Sequence, residues 1–215
     1  MAEMAEKILI YGASGHAKVI IDIIEKGKEF EICGLLDDNF QKRGKFFGYP
    51  ILGGFAELTK NIYNNCKLIL AIGNNQSRKR LWGKIRPLGY ELAYAIHPSS
   101  QIGRDVFVGK GTVVMANVVI NSGSKIGENV ILNTGATIDH DCIIGDYVHI
   151  SPGVHLAGNV SIGELSHIGI GVSIVPNVRV GKNSVVGAGA VVIEDIPDNC
   201  TAIGVPAKVI KNHTE

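Results

Sequence analysis

The sequence predicts an α/β protein of two parts: a small domain with a parallel sheet over residues 1–97, followed by a parallel β-helix over residues 98–196. Two observations predict this fold class. In the first part, apolar strand patterns alternate with helical patterns, which is typical of a parallel sheet. In the second part, an aliphatic residue returns at every sixth position, which is a β-helix signature. Residues 197–215 are expected to form a C-terminal cap or tail.

Strands and helices alternate through the first part. Residues 7–11 (KILIY) are predicted to form a buried strand, and a glycine-containing turn joins it to a helix over residues 17–26. The apolar face of this helix is expected to consist of Val19, Ile20, Ile23 and Ile24. Further elements are expected over residues 31–36 (strand), 68–72 (strand), 76–86 (helix) and 91–95 (strand).

Three of these strands end in residues that suit a nucleotide. The turn after the first strand has Gly12-x-x-Gly15 before a helix start, where free N–H groups and the helix dipole can hold a phosphate. A glycine turn at a strand–helix junction is about as often a simple connection as a phosphate site, but the three strand ends together favour a nucleotide. The incomplete glycine fingerprint argues against NAD. The candidate nucleotide-binding residues are Gly12, Ser14, Gly15, His16, Asp37, Asp38 and Gly73.

The second part is a hexapeptide repeat without a miss. A second series of mostly small or β-branched residues, from Val106 to Ile196, lies two residues before each next aliphatic residue. Both series therefore point to the same side of a short strand, and stacked hexads bury a continuous core. The aliphatic series is Ile102, Val108, Val114, Ile120, Ile126, Leu132, Ile138, Ile144, Ile150, Leu156, Ile162, Ile168, Ile174, Val180, Val186 and Val192.

Three hexads close one triangular coil, so residues eighteen apart should stack at roughly 4.8 Å. The residues between the two series are often Gly, Asn or Asp, which suit corners.

Cys142 falls on the inward series and is expected to be a core thiol. In the tail, Pro197, Pro206 and Lys208 are expected to discourage further strand pairing. Most repeat residues are scaffold, so the chemistry must come from residues at the corners.

Composition excludes several classes of partner. The net charge is +1 and no basic run occurs, so nucleic acid is not an expected partner. No apolar run approaches the roughly 18 residues of a membrane span. The polar N-terminus is unlike a signal peptide, and the four cysteines form no CxxC pair. We therefore expect a cytoplasmic protein.

Histidines in the repeat are the candidate catalytic groups. His140 lies two residues after Ile138, at a corner, with Asp139 and Asp141 beside it. A carboxylate beside an imidazole fixes its tautomer and raises its basicity. The alternative is a solvated turn histidine.

Three further histidines share one phase of the repeat. His149 and His167 are eighteen residues apart and should stack, while His155 occupies the same phase on the next face. Two aligned imidazoles raise the alternative of a zinc site, as in trimeric β-helix carbonic anhydrases. Two ligands of that site are five residues apart, and this chain has no such pair. No metal is therefore expected.

Several motifs together resemble one family, the hexapeptide-repeat sugar acetyltransferases with an N-terminal nucleotide-sugar domain. This family includes the bacillosamine and perosamine N-acetyltransferases and the sialic acid O-acetyltransferases. The motifs are residues 11–16 (YGASGH), 37–38 (DD), 71–75 (AIGNN), 133–142 (NTGATIDHDC) and 204–208 (GVPAK). The resemblance implies a Rossmann-like first domain that binds a nucleotide sugar and a left-handed β-helix that binds acetyl-CoA between the subunits of a homotrimer.

The resemblance also implies roles for individual residues. His140 matches the proposed base and Asp141 its acidic neighbour, which is a glutamate in the bacillosamine enzyme. His149 matches a histidine that contacts acetyl-CoA, and Ile170 and Ala188 match positions that contact it through the backbone. Whether Asp139 or Asp141 supports the base stays open, and no oxyanion donor is assigned. Asn133 is expected to orient the sugar or the base, or to serve only as a corner asparagine.

The expected function is transfer of acetyl from acetyl-CoA to the amino group of a nucleotide-linked amino sugar, of the UDP-4-amino-sugar or GDP-perosamine type, in bacterial glycan biosynthesis. The first alternative is O-acetylation of a sugar, as in the sialic acid enzymes. A zinc carbonic anhydrase and a non-catalytic nucleotide-sugar-binding protein are the remaining ones. Neither the nucleotide base nor the sugar follows from the sequence.

Overall fold

The computed structural model describes residues 5–39 and 44–213. The chain divides into two compact units, one ending at Pro98 and the other beginning at Ser99. None of the helices in these described ranges is long and apolar enough to cross a membrane.

The first unit contains a five-stranded sheet with the order β3-β4-β2-β1-β5. Its strands are parallel except for β3, which pairs antiparallel with β4. Because β1 lies between β2 and β5, the strand order reverses there, and a ligand crevice is expected at the carboxyl ends of these strands. The elements are β1 (Glu6–Tyr11), α1 (Gly15–Gly27), β2 (Phe30–Leu36), β3 (Lys45–Phe46), β4 (Tyr49–Gly53), α2 (Phe55–Leu58), β5 (Cys66–Leu70), α3 (Asn75–Ile85), a 3₁₀ turn (Arg86–Leu88) and β6 (Ala95–Ile96).

The apolar face of α1 differs from the prediction at one position. Ala17, Ile20, Ile21 and Ile24 are buried with the i, i+3, i+4, i+7 spacing of a helix face, and Ile23 is buried beside them. Val19, which was expected on this face, is 38% exposed. The 100° step between helical residues carries Val19 away from the sheet, so its inclusion was wrong.

Short elements account for the other differences in the first unit. The expected strand over residues 91–95 is reduced to a bridge between Leu68 and Leu92, followed by β6. The hairpin of β3 and β4 and the four-residue α2 were not predicted, because such short elements show no measurable periodicity.

The second unit confirms the β-helix. Strands pair in parallel with partners eighteen residues away, as Val119 does with Thr137 and His149 with His167. One face carries β7, β10, β13, β16, β19 and β22, and a second carries β8, β11, β14, β17 and β20. The third face carries β9, β12, β15, β18 and β21. In chain order, β7 to β22 are Gln101–Ile102, Phe107–Val108, Val113–Val114, Val119–Ile120, Lys125–Ile126, Ile131–Leu132, Thr137–Ile138, Ile143–Ile144, His149–Ile150, His155–Leu156, Ser161–Ile162, His167–Ile168, Ser173–Ile174, Arg179–Val180, Val185–Val186 and Val191–Val192.

Each corner places one residue in the left-handed region of backbone space. Every sixth residue from Asp105 to Gly189 has a positive φ, and most are Gly, Asn or Asp. These residue types adopt that conformation at the least steric cost, so the corner composition noted in the sequence has a direct cause. Tyr147 and Leu165 are the two bulky exceptions.

The inward series forms the predicted core. From Val114 onward every aliphatic repeat position is buried, whereas Ile102 in the first coil is 39% exposed. Cys142 is fully buried, which confirms the core thiol. Inward hydroxyls join successive coils: Ser124 Oγ donates to the Asp139 carbonyl at 2.8 Å and accepts the Cys142 N–H at 3.0 Å.

The tail contradicts one expectation. Strand β23 (Cys200–Ile203) pairs in parallel with β21, and β24 (Lys208–Asn212) pairs antiparallel with β23. The prediction that Pro197, Pro206 and Lys208 discourage further pairing was therefore wrong. Both prolines lie outside these strands, so neither removes a donor from the ladder.

Candidate active site

His140 and Asp141 form a hydrogen-bonded pair at a corner of the β-helix. Strand β13 points Ile138 inward, and the chain then turns through residues 139–141 into the next face. Asp141 is the left-handed corner residue, with φ of 59°. His140 Nδ1 lies 2.8 Å from Asp141 Oδ2, and the two side chains are 61% and 67% exposed. The dyad is thus presented at the surface by the corner itself.

Asp139 supports the same corner through the backbone. Its Oδ1 accepts the His140 N–H at 2.8 Å and the Asn121 Nδ2–H at 2.8 Å. The hydrogen bond from Asn121 and then that from the His140 N–H lower the Asp139 pKa. Asp141 therefore holds the imidazole directly, whereas Asp139 holds the main chain beneath it.

The two carboxylates determine the state of the imidazole. The hydrogen bond to Asp141, and then the negative charge of Asp139, raise the His140 pKa above its ordinary value. An ionised carboxylate only accepts hydrogen bonds, so Nδ1 carries the proton that binds Asp141. In neutral His140 the lone pair then resides on Nε2, which is the arrangement of a general base.

His149 and Asn133 lie together on a different part of the prism. Asn133 Nδ2 is 3.3 Å from His149 Nε2, and Asn133 Oδ1 accepts the Thr134 N–H at 2.8 Å. The His149 ring stacks on His167 at 4.8 Å between centroids, as the spacing predicted. Asn133 thus shapes its corner and contacts His149, rather than contacting His140.

Ile170 and Ala188 occupy equivalent corner positions on successive coils. The Gly189 N–H donates to the Ile170 carbonyl at 2.8 Å, which ties the two corners together. Ile170 is 60% exposed and Ala188 is also exposed. Within the described ranges, neither backbone N–H donates to another protein group. Both are available to an acceptor on a bound molecule.

Within a single chain, the His140–Asp141 pair and the predicted acetyl-CoA contacts lie at different corners of the prism. His140 lies at the corner where β13 leads to β14, whereas His149 lies on the third face. Ile170 and Ala188 lie at the corner that leads from that third face to the face of β13. The face that carries β13 therefore separates His140 from the predicted acetyl-CoA contacts His149, Ile170 and Ala188.

The nucleotide-binding residues predicted in the first unit follow the carboxyl ends of three strands: Gly12 to His16 follow β1, Asp37 and Asp38 follow β2, and Gly73 follows β5. Asp37 accepts the N–H groups of Ala13 and Asn39, each at 2.8 Å. Asp38 accepts the Tyr11 hydroxyl at 2.7 Å and the Phe55 N–H at 2.8 Å. Asp37 therefore braces the turn after β1, whereas Asp38 joins the end of β1 to the start of α2, and the sequence revealed neither role.

Gly12 in this turn permits a close approach between strands. Its φ is 115°, and a Cβ there would lie 2.7 Å from the Ala71 carbonyl oxygen, so no other residue fits without a shift. Ser14 and Gly15 are exposed at the start of α1. Among the described residues, no side chain caps this helix and its first turn has no acidic residue, while the Asp37 carboxylate binds the Ala13 N–H in the turn before it.

His16 and Arg78 lie close together behind the turn. Burial, and then the positive charge of Arg78, lower the His16 pKa to about 4, so its imidazole is neutral at pH 7. His16 Nε2 is buried without a hydrogen-bond partner among the residues described. Arg78 is 1% exposed and donates to the carbonyls of Ile72 and Gly73, at 2.8 and 3.2 Å. Sequence reasoning missed Arg78, because a charged residue in an otherwise polar helix carries no sign of burial.

Over residues 5–39 and 44–213, no group of three or more His, Cys, Asp or Glu side chains is arranged to hold a metal ion. In the histidine stack, His167 Nε2 is 2.9 Å from Ser151 Oγ. Both rings of the stack thus have their Nε2 atoms against neighbouring side chains rather than converging on one point.

Comparison with known proteins finds two sequence families in this chain. Residues 7–85 match the PglD N-terminal domain, and residues 99–133 and 123–158 match the bacterial transferase hexapeptide (six repeats). UDP-N-acetylbacillosamine N-acetyltransferase of Bacillus subtilis (strain 168) is 37% identical over 115 residues, which are 52% of each chain. GDP-perosamine N-acetyltransferase of Escherichia coli O157:H7 is 31% identical over 154 residues, which are 69% of each chain. The alignment thus spans about half the length of the bacillosamine relative.

Solved structures match nearly the whole chain. Perosamine N-acetyltransferase from Caulobacter crescentus, a histidine-to-asparagine mutant in complex with CoA and GDP-perosamine, has a TM-score of 0.90 and 39% identity. That match covers 96% of this chain and 97% of the other. The acetyltransferase domain of PglB from Neisseria gonorrhoeae FA1090, in complex with acetyl coenzyme A, has a TM-score of 0.89 and 36% identity, and covers 96% and 100%.

These likenesses confirm the predicted fold class, a Rossmann-like α/β domain followed by a left-handed parallel β-helix. They also confirm the resemblance that the motifs indicated. The chain belongs to the family of hexapeptide-repeat sugar N-acetyltransferases.

Proposed function

We propose that this protein transfers the acetyl group of acetyl-CoA to the amino group of a nucleoside-diphosphate-linked amino sugar, with His140 as the general base. One observation carries the proposal: Asp141 holds Nδ1 of an exposed corner imidazole, which leaves the Nε2 lone pair for a substrate. The family membership supports the reaction, since its members include enzymes solved with CoA, acetyl coenzyme A and GDP-perosamine.

The proposed reaction moves one proton twice. The sugar amine attacks the thioester carbonyl, and His140 Nε2 accepts the proton that the nitrogen loses as the N–C bond forms. The C–S bond then breaks, and the imidazolium returns the proton to the departing sulfur. General-base help is worth roughly 10²–10⁴-fold, and alignment of two bound substrates adds effective molarities up to about 10⁵–10⁸ M. Asp141 stabilises the imidazolium between the two transfers.

The first unit is proposed to bind the nucleotide sugar through its diphosphate. The free N–H groups around Ser14 and Gly15 and the dipole of α1 suit phosphate oxygens. His16 offers a buried Nε2 without a partner at the same turn. Gly73 follows β5, on the other side of the strand-order reversal, where ligands of this fold class bind. Asp37 and Asp38 remain proposed ribose or base contacts, with oxygen lone pairs beyond those their bracing bonds use.

Acetyl-CoA is proposed to bind along Ile170 and Ala188, with His149 beside it and Asn133 orienting His149. The N–H groups of Ile170 and Ala188 suit the amide carbonyls of pantetheine. Because His140 lies at a different corner, a second subunit must bring its base corner against this edge. Such a contact is heterologous, and the proposed homotrimer is a ring in which three of these contacts close.

Bacterial glycan biosynthesis is the proposed pathway class and the cytoplasm the proposed location. All four cysteines are free thiols, which fits a reducing compartment.

The test measures acetyl transfer to a panel of UDP-, GDP-, CMP- and dTDP-linked 4-amino sugars, with free sialic acid as the hydroxyl acceptor. We expect turnover with an amino sugar, and a fall of hundreds-fold or more in His140→Ala with little change in acetyl-CoA affinity. His155→Gln, a change at another exposed imidazole of the β-helix, is the control. Near-normal turnover in His140→Ala would remove the base, and transfer to sialic acid alone would favour the O-acetylation alternative.

A further inference from the structure

We propose that Gly158 is a positioning residue for the base, because the absent side chain leaves the space in which the His140 imidazole lies. The inference rests on the proposed function for its effect on turnover. Its geometric content is independent of which sugar is the substrate.

Gly158 lies directly after His140 in one column of the prism. Residues eighteen apart occupy this column, and main-chain hydrogen bonds connect them. The Asp141 N–H donates to the Ser122 carbonyl at 3.1 Å, and the Asn159 N–H donates to the His140 carbonyl at 2.9 Å. His140 therefore has Ser122 on one side and Gly158 on the other.

The His140 imidazole packs against Gly158. A Cβ added to Gly158 would lie 2.5 Å from His140 Nε2 and 2.6 Å from His140 Cε1, well inside van der Waals contact. Gly158 is buried although it belongs to an outer corner, as expected if the ring covers it. The nitrogen with the free lone pair is thus the atom that any side chain at residue 158 would displace.

The backbone gives no other reason for glycine at this position. The φ of Gly158 lies outside the left-handed region, so an L-residue fits its backbone conformation. The clashing atoms belong to the end of a mobile side chain rather than to main chain. Substitution should therefore move the imidazole and leave the coil intact.

The other half of the dyad has a similar setting. A Cβ at Gly123, one coil before Asp141, would lie 2.6 Å from Asp141 Oδ1. Gly123 has φ of 77°, so its replacement would also strain the corner. Gly158 is the position at which the steric effect can be tested without that complication.

The consequence for the reaction is a geometric one. A methyl group at residue 158 forces the ring to rotate, which moves Nε2 from its place and disturbs the hydrogen bond from Nδ1 to Asp141. Misplacement of a reacting group by about 1 Å costs up to about 100-fold. We expect Gly158→Ala to lower kcat by about 10- to 100-fold, with Gly158→Val lower still.

The experiment is a double-mutant cycle in the full-length protein. It compares kcat and the KM for acetyl-CoA in wild type, Gly158→Ala, His140→Ala and the double variant. If Gly158 acts through the imidazole, its substitution should lose nearly all effect once His140 is alanine. Ser122→Ala, on the other side of His140 in the same column, is the matched control and should leave turnover unchanged. An equal loss in both backgrounds, or a rise in KM alone, would assign Gly158 a different role.

A titration separates this inference from the proposed function. The His140 ring proton, followed by NMR, should titrate above the ordinary value in wild type and closer to it in Gly158→Ala, because the bond to Asp141 is disturbed. This readout needs no substrate. A titration curve that stays the same in Gly158→Ala would overturn the positioning role even if the acetyl transfer is correct. Conversely, a shifted curve with unchanged turnover in His140→Ala would uphold the geometry and refute the base.

Discussion

His16 makes the stability of the first unit sensitive to acid. Its pKa is about 4 in the folded protein, against about 6.5 in an unfolded chain. Between these values the unfolded chain binds a proton that the folded chain does not, so stability falls as pH drops from 6.5 toward 4. The difference is largest at and below the folded pKa, where about 2.5 units correspond to about 3 kcal/mol. At pH 5, the expected loss is about 2 kcal/mol relative to pH 7.

His16→Gln removes the titration while keeping a polar side chain, so it isolates this contribution. The assay is urea unfolding at pH 7 and pH 5, followed by the fluorescence of Trp82, which is the single tryptophan of the chain and lies in α3 of the same unit. We expect the wild type to lose about 2 kcal/mol more than His16→Gln between the two pH values. His155→Gln, at an exposed imidazole, should behave like wild type. An equal pH dependence in wild type and His16→Gln would mean that His16 is not held neutral by burial.

Two further predictions concern the dyad and the assembly. Activity needs neutral His140, whose pKa is raised by Asp141 and Asp139, so activity should fall with decreasing pH through an inflection above 6.5. Asp141→Asn should move that inflection to lower pH and reduce kcat, as a pH–rate profile would reveal; an unmoved inflection would assign it to another group. Co-expression of His140→Ala with Ala188→Trp, which fills the proposed acetyl-CoA path, should restore about a quarter of wild-type activity, because random assembly joins the two intact sides at one seam in four. Recovery no greater than that of the separate variants would contradict a site shared between subunits.

The hexapeptide repeat made the fold of the second unit predictable from the sequence. Each coil imposes the same local requirements, namely an inward aliphatic residue, a smaller inward residue and a left-handed corner. The eighteen-residue stacking of His149 on His167 followed from this period alone. The elements of the first unit were harder to predict, since β3, α2 and the bridge at Leu92 are too short to show a hydrophobic period.

The candidate site divides along similar lines. His140 and its two flanking carboxylates, Asp139 and Asp141, were visible in the sequence because they are neighbours in the chain. The hydrogen bond of Asn121 to Asp139 and the packing of the His140 ring against Gly158 could not be predicted from the sequence, because each depends on the direction of a side chain across stacked coils. Arg78 approaches His16 only because β1 and β5 are adjacent in the sheet.

The sequence by itself determined the two-part architecture, the period of the coil and the candidate His140 with a carboxylate on each side, because all three depend on spacing along the chain. Only the tertiary structure decided that Asp141 rather than Asp139 holds the imidazole, that Asp37 braces the turn after β1, and that the tail extends the sheet. The physical reason is that hydrogen bonds and close contacts act over about 3 Å between atoms. Which groups meet at that distance depends on how the strands stack in space. The spacing of residues along the chain does not specify this.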